Sequence, residues 1–530
     1  MRESVGELML RLPLLDDYLR EQHELTAVER FARSHAAEPD AKRYQALMPA
    51  TPPREGQQYA FEVDLDACSG CKACVTACHN LNGLDEGETW RAVGLLHGGT
   101  AAAAVKQVVT SACHHCIDPA CLNGCPVRAY EKDPVTGIVK HLDDQCIGCQ
   151  YCTFMCPYEV PQYNAKRGIV RKCDMCSGRL AVGEAPACVQ ACPNEAIAIR
   201  VIDKQQALDD AQGDAFLPGT PSPAITVPTT VYRTAHPPPR NLLPADFYSV
   251  RPSHHHAPLV VMLVLTQLSV GAFVVDAVVG KALAAHLAQP AHALAALCVG
   301  LAALAASVFH LGRPLYAFRA VLGLRTSWMS REIVTFGLFA MLAVTYAAAC
   351  LTGTGTPVLR EALGVGVAAI GVLGIACSVL IYHVTRKAWW TASITGFKFF
   401  MTATVLGLAS TIVTVVASQS ESEVVAQLSP LVAVASAVKL IGELAGFVHL
   451  RDRRYTELRR SAVLLVHDLR RWSIARVIAL VLGGIVIPLA GDHTLAFAIA
   501  SLALLVIGEL LERTLFFAAA SAPGMPKGQR

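Results

Sequence analysis

Sixteen of the chain's nineteen cysteines fall between Cys68 and Cys192, in four groups of four. Cys68, Cys71, Cys74 and Cys78 follow the spacing C-x2-C-x2-C-x3-C, which Cys146, Cys149, Cys152 and Cys156 repeat. Cys113, Cys116, Cys121 and Cys125 read C-x2-C-x4-C-x3-C, and Cys173, Cys176, Cys188 and Cys192 read C-x2-C-x11-C-x3-C. Pro126, Pro157 and Pro193 each follow the last cysteine of a group. A disulfide framework needs an oxidising compartment. The opening Met1-Arg2-Glu3-Ser4-Val5-Gly6 carries neither the apolar segment nor the twin arginine of an export signal. Reduced thiols bound to metal are expected instead.

Zinc also uses Cys-x-x-Cys pairs. Its sites rarely add a third cysteine three positions on and a closing Cys-Pro, so iron–sulfur is the better reading. A cubane cluster needs four thiolates. Three closely spaced cysteines wrap one cluster, and the fourth, beside a proline, reaches the partner cluster. Four motifs make two pairs, hence four 4Fe-4S clusters. Clusters in series pass single electrons, and nothing in these motifs binds a substrate for bond-making chemistry.

A chain of 530 residues exceeds one core. Composition divides it: residues 1–256 are mixed and charged, and long apolar runs dominate from about residue 257. The net charge of +3 suggests no nucleic-acid partner. The expected division is an N-terminal extension (1–57), a cluster domain (58–202), a proline-rich linker (203–256), a membrane anchor (257–518) and a tail (519–530). Leu12 through Phe31 has helical periodicity and could be an interaction helix. Runs such as Pro237-Pro238-Pro239 make the linker extended, either a plain spacer or an arm along a partner. His254, His255 and His256 read as polar residues at a membrane surface, with metal as the alternative.

Eight apolar spans are expected, at about 257–279, 291–310, 332–352, 362–383, 397–418, 428–450, 474–490 and 495–517. Each approaches the roughly 20 residues a helix needs to cross a lipid bilayer. Fifteen basic residues follow spans two, four and six, among them Arg313, Arg319, Arg331, Lys398, Arg460 and Arg476. The opposite loops hold Lys281 and Arg360. Positive loops stay in the cytoplasm, which puts the cluster domain on the cytoplasmic side of the inner membrane. Ionisable residues inside spans need partners. Lys439 with Glu443, and Glu509 with Arg513, are each four apart on one helix face, whereas Asp276 has no partner in its own span.

The cluster region resembles the four-cluster iron–sulfur subunit of the dimethyl sulfoxide reductase family of molybdenum enzymes. The resemblance rests on Cys68-Ser-Gly-Cys71-Lys-Ala-Cys74, Cys113-His-His-Cys116-Ile-Asp-Pro-Ala-Cys121, Cys156-Pro157-Tyr158 and Pro161-Gln162-Tyr163-Asn164. It implies exchanged fourth ligands: Cys68, Cys71, Cys74 with Cys192; Cys173, Cys176, Cys188 with Cys78; Cys113, Cys116, Cys121 with Cys156; Cys146, Cys149, Cys152 with Cys125. Some relatives carry tryptophan at the position of Cys149 and hold a three-iron cluster there. Cysteine here implies four complete cubanes.

His310-Leu311-Gly312-Arg313-Pro314 and Ser327-Trp328-Met329-Ser330-Arg331-Glu332 resemble the same family's eight-helix anchor, in which a histidine in this context serves the quinol site. His310 would carry the proton of quinone chemistry, and Arg313 and Arg331 could orient a quinone carbonyl or simply mark topology. The expected architecture is an α+β ferredoxin-like four-cluster domain followed by an all-α eight-helix transmembrane bundle. It would be a natural fusion of two subunits. The expected function is electron transfer between membrane quinone (menaquinone included) and a separate molybdopterin-containing catalytic subunit of sulfoxide, sulfite or nitrate type, as in anaerobic respiration. The rival reading is a redox-driven proton-translocating module using Asp276, Lys439 and Glu443.

Overall fold

The computed structural model describes residues 44–527 except 237, 240, 255, 285–287, 419–421 and 491–493, together with Asp17, Arg20, Thr26 and Glu29. The expected interaction helix at Leu12–Phe31 therefore lies largely outside the described residues, as does His255.

The cluster domain is built on β1 (Gln57–Asp64), β2 (Ala92–Gly99), β3 (Ala104–Ser111), β4 (Tyr130–Lys132), β5 (Val139–His141), β6 (Gln162–Asn164), β7 (Ile169–Arg171), β8 (Ile197–Asp203), β9 (Val231–Arg233) and β10 (Leu243–Pro244). β1 pairs antiparallel with β8, with Phe61 opposite Ile199. This ties the start of the four motifs to their end. The hairpins β4–β5 and β6–β7 separate the second motif from the third and the third from the fourth. Phe61, Ile197 and Ile199 pack with Cys74, Cys173, Cys188 and Cys192 in one buried cluster, so the sheet's apolar face is the wall of the outer thiol groups.

The proline-rich stretch is not a free linker. β9 adds to β1 as a parallel edge strand, with Val63 opposite Tyr232, and β10 adds to the β2–β3 hairpin, with Leu243 opposite His97. An edge strand tolerates neighbouring prolines because one side of its backbone needs no partner. The boundary expected at residue 202 therefore falls inside the domain.

Eight helices are long and apolar enough to cross a membrane among the described residues. They are α1 (Ala257–Ala284), α2 (Ala288–Val308), α3 (Trp328–Thr352), α4 (Pro357–His383), α5 (Ala392–Ala417), α6 (Ser422–Ala445), α7 (Arg470–Leu489) and α8 (Leu495–Ala518). α1 is central, packing against α2, α4, α5 and α8. Small residues allow this: a Cβ on Gly407 would strike the Gly271 backbone, so α5 and α1 touch main chain to main chain. Large apolar side chains such as Met341, Val358, Val372 and Ile441 remain on the outside, as lipid requires.

Candidate electron-transfer site

Each closely spaced cysteine group sits on a loop curled by left-handed residues. Gly70 and Lys72 have φ 74 and 63, Gly148 and Gln150 have 69 and 59, and Met175 and Cys176 have 62 and 50. The curl turns amides toward sulfur: Gly148 N–H donates to Cys146 Sγ and Met175 N–H to Cys173 Sγ, each at 3.4 Å. The Cys-Pro corners repeat a second device. Three residues after each such cysteine, a non-glycine residue adopts φ near 54: Arg128, Glu159 and Glu195. In two of them the next amide donates back to sulfur, Ala129 to Cys125 at 3.2 Å and Ala196 to Cys192 at 3.3 Å. Such backbone costs on the order of 1–3 kcal/mol per residue. Its threefold recurrence means the aim of the thiol takes precedence over backbone comfort.

Electrostatic contact joins thiols of different motifs, and it also links neighbouring sets, Cys188 acting on Cys74 and Cys113 on Cys173. Cys192 acts on Cys68 and Cys74. Cys78 faces Cys188 and Cys176, and also acts on Cys173. Cys156 acts on Cys116 and Cys121 and faces Cys113. Cys125 faces Cys146 and acts on Cys149 and Cys152. Two of these sets line small cavities of their own: Cys113, Cys116, Cys121 and Cys156 in one, Cys78, Cys173, Cys176 and Cys188 in the other. Burial pushes Cys156 and Cys176 each up to about 11, and Cys121 and Cys173 well above the ordinary thiol range. Thiols so buried ionise only beside a cation. Four converging on one cavity fit an iron–sulfur cluster. Among the described residues, no three His, Cys, Asp or Glu side chains close on a single-ion position.

Two buried cations stand among these thiols, and neither was expected there from sequence. Arg91 is 2% exposed, donates from Nη1 to Thr110 Oγ1 at 3.2 Å, and lies over the Phe61 ring at 4.7 Å. Lys172 is 2% exposed and donates to Cys113 Sγ at 3.6 Å, to Cys173 O at 2.9 Å and to Val139 O.

The set holding Cys146, Cys149 and Cys152 faces the anchor. Gly312 of the His310-Leu311-Gly312 segment lies against the Gly168 backbone, and a Cβ on Gly148 would meet Gly312 Cα at 2.9 Å. Arg313 N–H donates to Ile147 O at 3.0 Å, and Arg313 Nη1 to Asp143 O at 2.7 Å. Farther along the same loop, Gly323 N–H donates to Pro126 O at 2.7 Å and Ser327 Oγ to Gly124 O at 2.7 Å. Arg331 donates to Leu324 O and Arg325 O at 3.1 and 2.7 Å and covers the Trp328 ring at 4.2 Å. Arg313 thus clamps the cluster domain and Arg331 stiffens its own loop.

His310 is half-buried at the end of α2, its Nδ1–H donating to Ser307 O at 2.5 Å, which leaves Nε2 as the acceptor. Glu332 is buried at the start of α3 with the Ser378 hydroxyl donating to it. The span pattern places Glu332 at a helix edge and assigns it no task. It acts electrostatically on Tyr151, as does Cys149, and Tyr151 donates from its hydroxyl to Ile381 O at 2.7 Å. Tyr151 and Met155 share one buried core with Trp390, Tyr382 and Phe517 of the anchor. His256 meets Phe154 edge-on with centroids 5.7 Å apart, in the same aromatic seam.

The remaining intramembrane charges pair across helices. Lys439 forms an ion pair with Glu509 and lies 4.0 Å from Glu443. Arg476 reaches Glu443 at 2.9 Å and Glu509 at 3.3 Å, and Lys398 meets Glu512 at 2.6 Å. Arg513 does not take Glu509, as the four-residue spacing suggested. It turns to Glu512 at 3.4 Å and Gln267 Oε1 at 3.0 Å. Lys398 and Arg476, read as loop charges, are buried inside helices α5 and α7. Asp276 has its partner on another helix: Tyr346 donates to it at 2.5 Å.

Comparison with known proteins agrees with both halves. Residues 105–202 match the profile of the 4Fe-4S dicluster domain, and residues 251–519 that of the DMSO reductase anchor subunit (DmsC). The B subunit of the anaerobic dimethyl sulfoxide reductase of Haemophilus influenzae is 36% identical over 186 residues, covering 33% of this chain and 89% of that one. The B subunit of the Escherichia coli K12 enzyme is 37% identical over 155 residues, 28% of this chain and 75% of its own length. The iron-sulfur subunit of the nitrate-inducible formate dehydrogenase of the same strain is 34% identical over 179 residues, 30% and 60% respectively. Iron–sulfur clusters in the first half and a multi-pass membrane anchor in the second follow: the chain belongs to the DMSO reductase anchor subunit family, with the iron–sulfur electron-transfer module fused ahead of the anchor.

Proposed function

We propose that this chain passes electrons between membrane quinone and a separate molybdopterin-containing catalytic subunit through four 4Fe-4S clusters. The ligand sets are Cys68, Cys71, Cys74 and Cys192; Cys78, Cys173, Cys176 and Cys188; Cys113, Cys116, Cys121 and Cys156; and Cys125, Cys146, Cys149 and Cys152. Each cluster supplies one-electron storage when bound. The observation that supports this reading is the mixing of motifs in two small cavities, where Cys156 joins Cys113, Cys116 and Cys121, and Cys78 joins Cys173, Cys176 and Cys188.

The quinone site lies where α2 ends and α3 begins, under the set holding Cys149. Quinol oxidation releases two protons and two electrons. His310 Nε2 and the Glu332 carboxylate would take the protons, and Tyr151 feels the charge of both Glu332 and Cys149. Menaquinone and ubiquinone rings both fit this chemistry. Arg313 and Arg331 hold the loop that bounds the site. The cluster domain rests on the arginine-rich loops, through Arg313, Arg319 and Arg460. Because such loops stay in the cytoplasm, the catalytic partner is cytoplasmic.

The experiment is reduction of the purified, iron-loaded chain by quinol or by dithionite. His310→Ala and Glu332→Gln should each abolish reduction by quinol while dithionite still reduces every cluster. Quinol reduction that survives both substitutions would falsify the site. Iron analysis should give about sixteen atoms per chain. Mass spectrometry of the gently solubilised complex should find a molybdopterin-binding subunit. Protease added to right-side-out vesicles should leave the cluster domain intact.

A further inference from the structure

The clusters of a chain differ in how readily each takes an electron, and charge in a dry interior is the strongest lever on that difference. A cubane gains one negative charge on reduction. A fixed cation beside it therefore favours the reduced form, and more so where water is excluded. Among the described residues, Arg91 and Lys172 are the most deeply buried cations next to cluster thiols, and both stand between sets.

Arg91 borders two sets: it lines the small cavity of Cys78, Cys173, Cys176 and Cys188, and its Nη1 and Cys74 Sγ share the Thr110 hydroxyl at 3.2 and 3.7 Å. Arg91 acts back on Cys68, in the same set as Cys74. Lys172 stands one junction farther along. It donates to Cys113 Sγ at 3.6 Å in the cavity of Cys113, Cys116, Cys121 and Cys156 on one side, and to Cys173 O at 2.9 Å on the other. The third junction holds no cation of this kind among the described residues: buried Tyr130 stands there, facing Cys121 on one side and Cys152 and Cys125 on the other. Neither Arg91 nor Lys172 forms an ion pair with a carboxylate among the described residues. Asp174, the nearest acid to Lys172 and Cys173, is taken up by the Cys176 amide at 3.0 Å and the Ser177 hydroxyl at 3.1 Å. The positive charge of each is left to act on the clusters.

We propose that Arg91 and Lys172 are tuning cations at two successive junctions of the cluster chain, each raising the reduction potential of the two clusters it separates. The proposal rests on the ligand sets given above. It has a signature no uniform structural effect would produce. The set of Cys78, Cys173, Cys176 and Cys188 faces both cations, the sets on either side of it face one each, and the set of Cys125, Cys146, Cys149 and Cys152 faces neither.

The test is potentiometric titration of the full iron-loaded chain, followed by electron paramagnetic resonance, for Arg91→Met, Arg91→Lys, Lys172→Met and Lys172→Arg. Each methionine variant should make its two flanking clusters harder to reduce by about tenfold, which is about 59 mV for a one-electron couple. The doubly faced cluster should shift in both methionine variants and the innermost cluster in neither. The charge-keeping variants should return the midpoints toward the native values. Unmoved midpoints at full iron content overturn the tuning role and leave the ligand sets standing. Equal shifts in all four clusters also overturn it, as does loss of iron in both Lys172 variants and both Arg91 variants, which would make the cations structural. An iron content near eight in the native chain overturns the ligand sets themselves, and this inference with them.

Discussion

Apart from Arg171, which pairs with Glu88 at 3.0 Å, the two halves of the molecule bury cations in opposite ways. In the cluster domain, Arg91 and Lys172 face thiols and backbone carbonyls. In the anchor, Lys439, Arg476 and Lys398 close on Glu509, Glu443 and Glu512. Removing a charge from water costs several kcal/mol unless a partner repays it. The partners of these anchor cations are encoded in the chain. The cluster domain's partners are thiolates, which exist at neutral pH only when a metal draws off their protons. One half folds around something it makes itself, and the other around something it must acquire.

Iron depletion should break the comparison open. In protein produced without iron, protease should cut within residues 58–233, while the anchor keeps the thermal transition of the loaded protein. A single transition shifted as a whole would mean that the two halves are not independent in this sense. Smaller, but still large, is the effect expected at the anchor's own pairs. Glu509→Gln leaves Lys439 with only Glu443 at 4.0 Å, and should cost about 3–5 kcal/mol. Urea or thermal melts should report this loss with no change in iron content. Iron loss in this variant would contradict the separation.

The seam between the halves offers a finer probe. Tyr151→Phe removes the hydroxyl that donates to Ile381 O across the interface and should cost about 1 kcal/mol. The ring stays in its aromatic core, so the cost should appear as a faster quinol-independent separation of the domains in limited proteolysis. The smallest effect belongs to the tail. Lys527 pairs with Glu159 on the surface, with side chains 32% and 56% exposed. Lys527→Ala should change stability by less than about 1 kcal/mol, and that change should vanish at high salt. A larger effect would mean that the tail clamps the cluster domain more firmly than its exposure allows.

The local rules were legible in the sequence. Cysteine spacing is a statement about one loop, and twenty apolar residues are a statement about one helix. Neither needs the rest of the chain. Hence the four cysteine groups, the eight spans and the basic loops could be read from the sequence, and the family resemblance supplied the exchange of fourth ligands. Pairing across helices could not be read. A spacing of four suggested Glu509 with Arg513, yet Arg513 turns to Glu512 and Gln267, because Lys439 and Arg476 reach Glu509 from other helices. Lys398 and Arg476 looked like loop charges because burial depends on neighbours far along the chain. The proline-rich segment looked like a spacer because its strands are edge strands, whose pairing lies with distant partners. Arg91 and Lys172 carried no signal at all, and Glu332 only closed a segment of the anchor resemblance. One charged residue in a sequence is ordinary. Only the tertiary structure decided that these three are enclosed in low dielectric beside thiols and a membrane interface, where a single charge has a large effect.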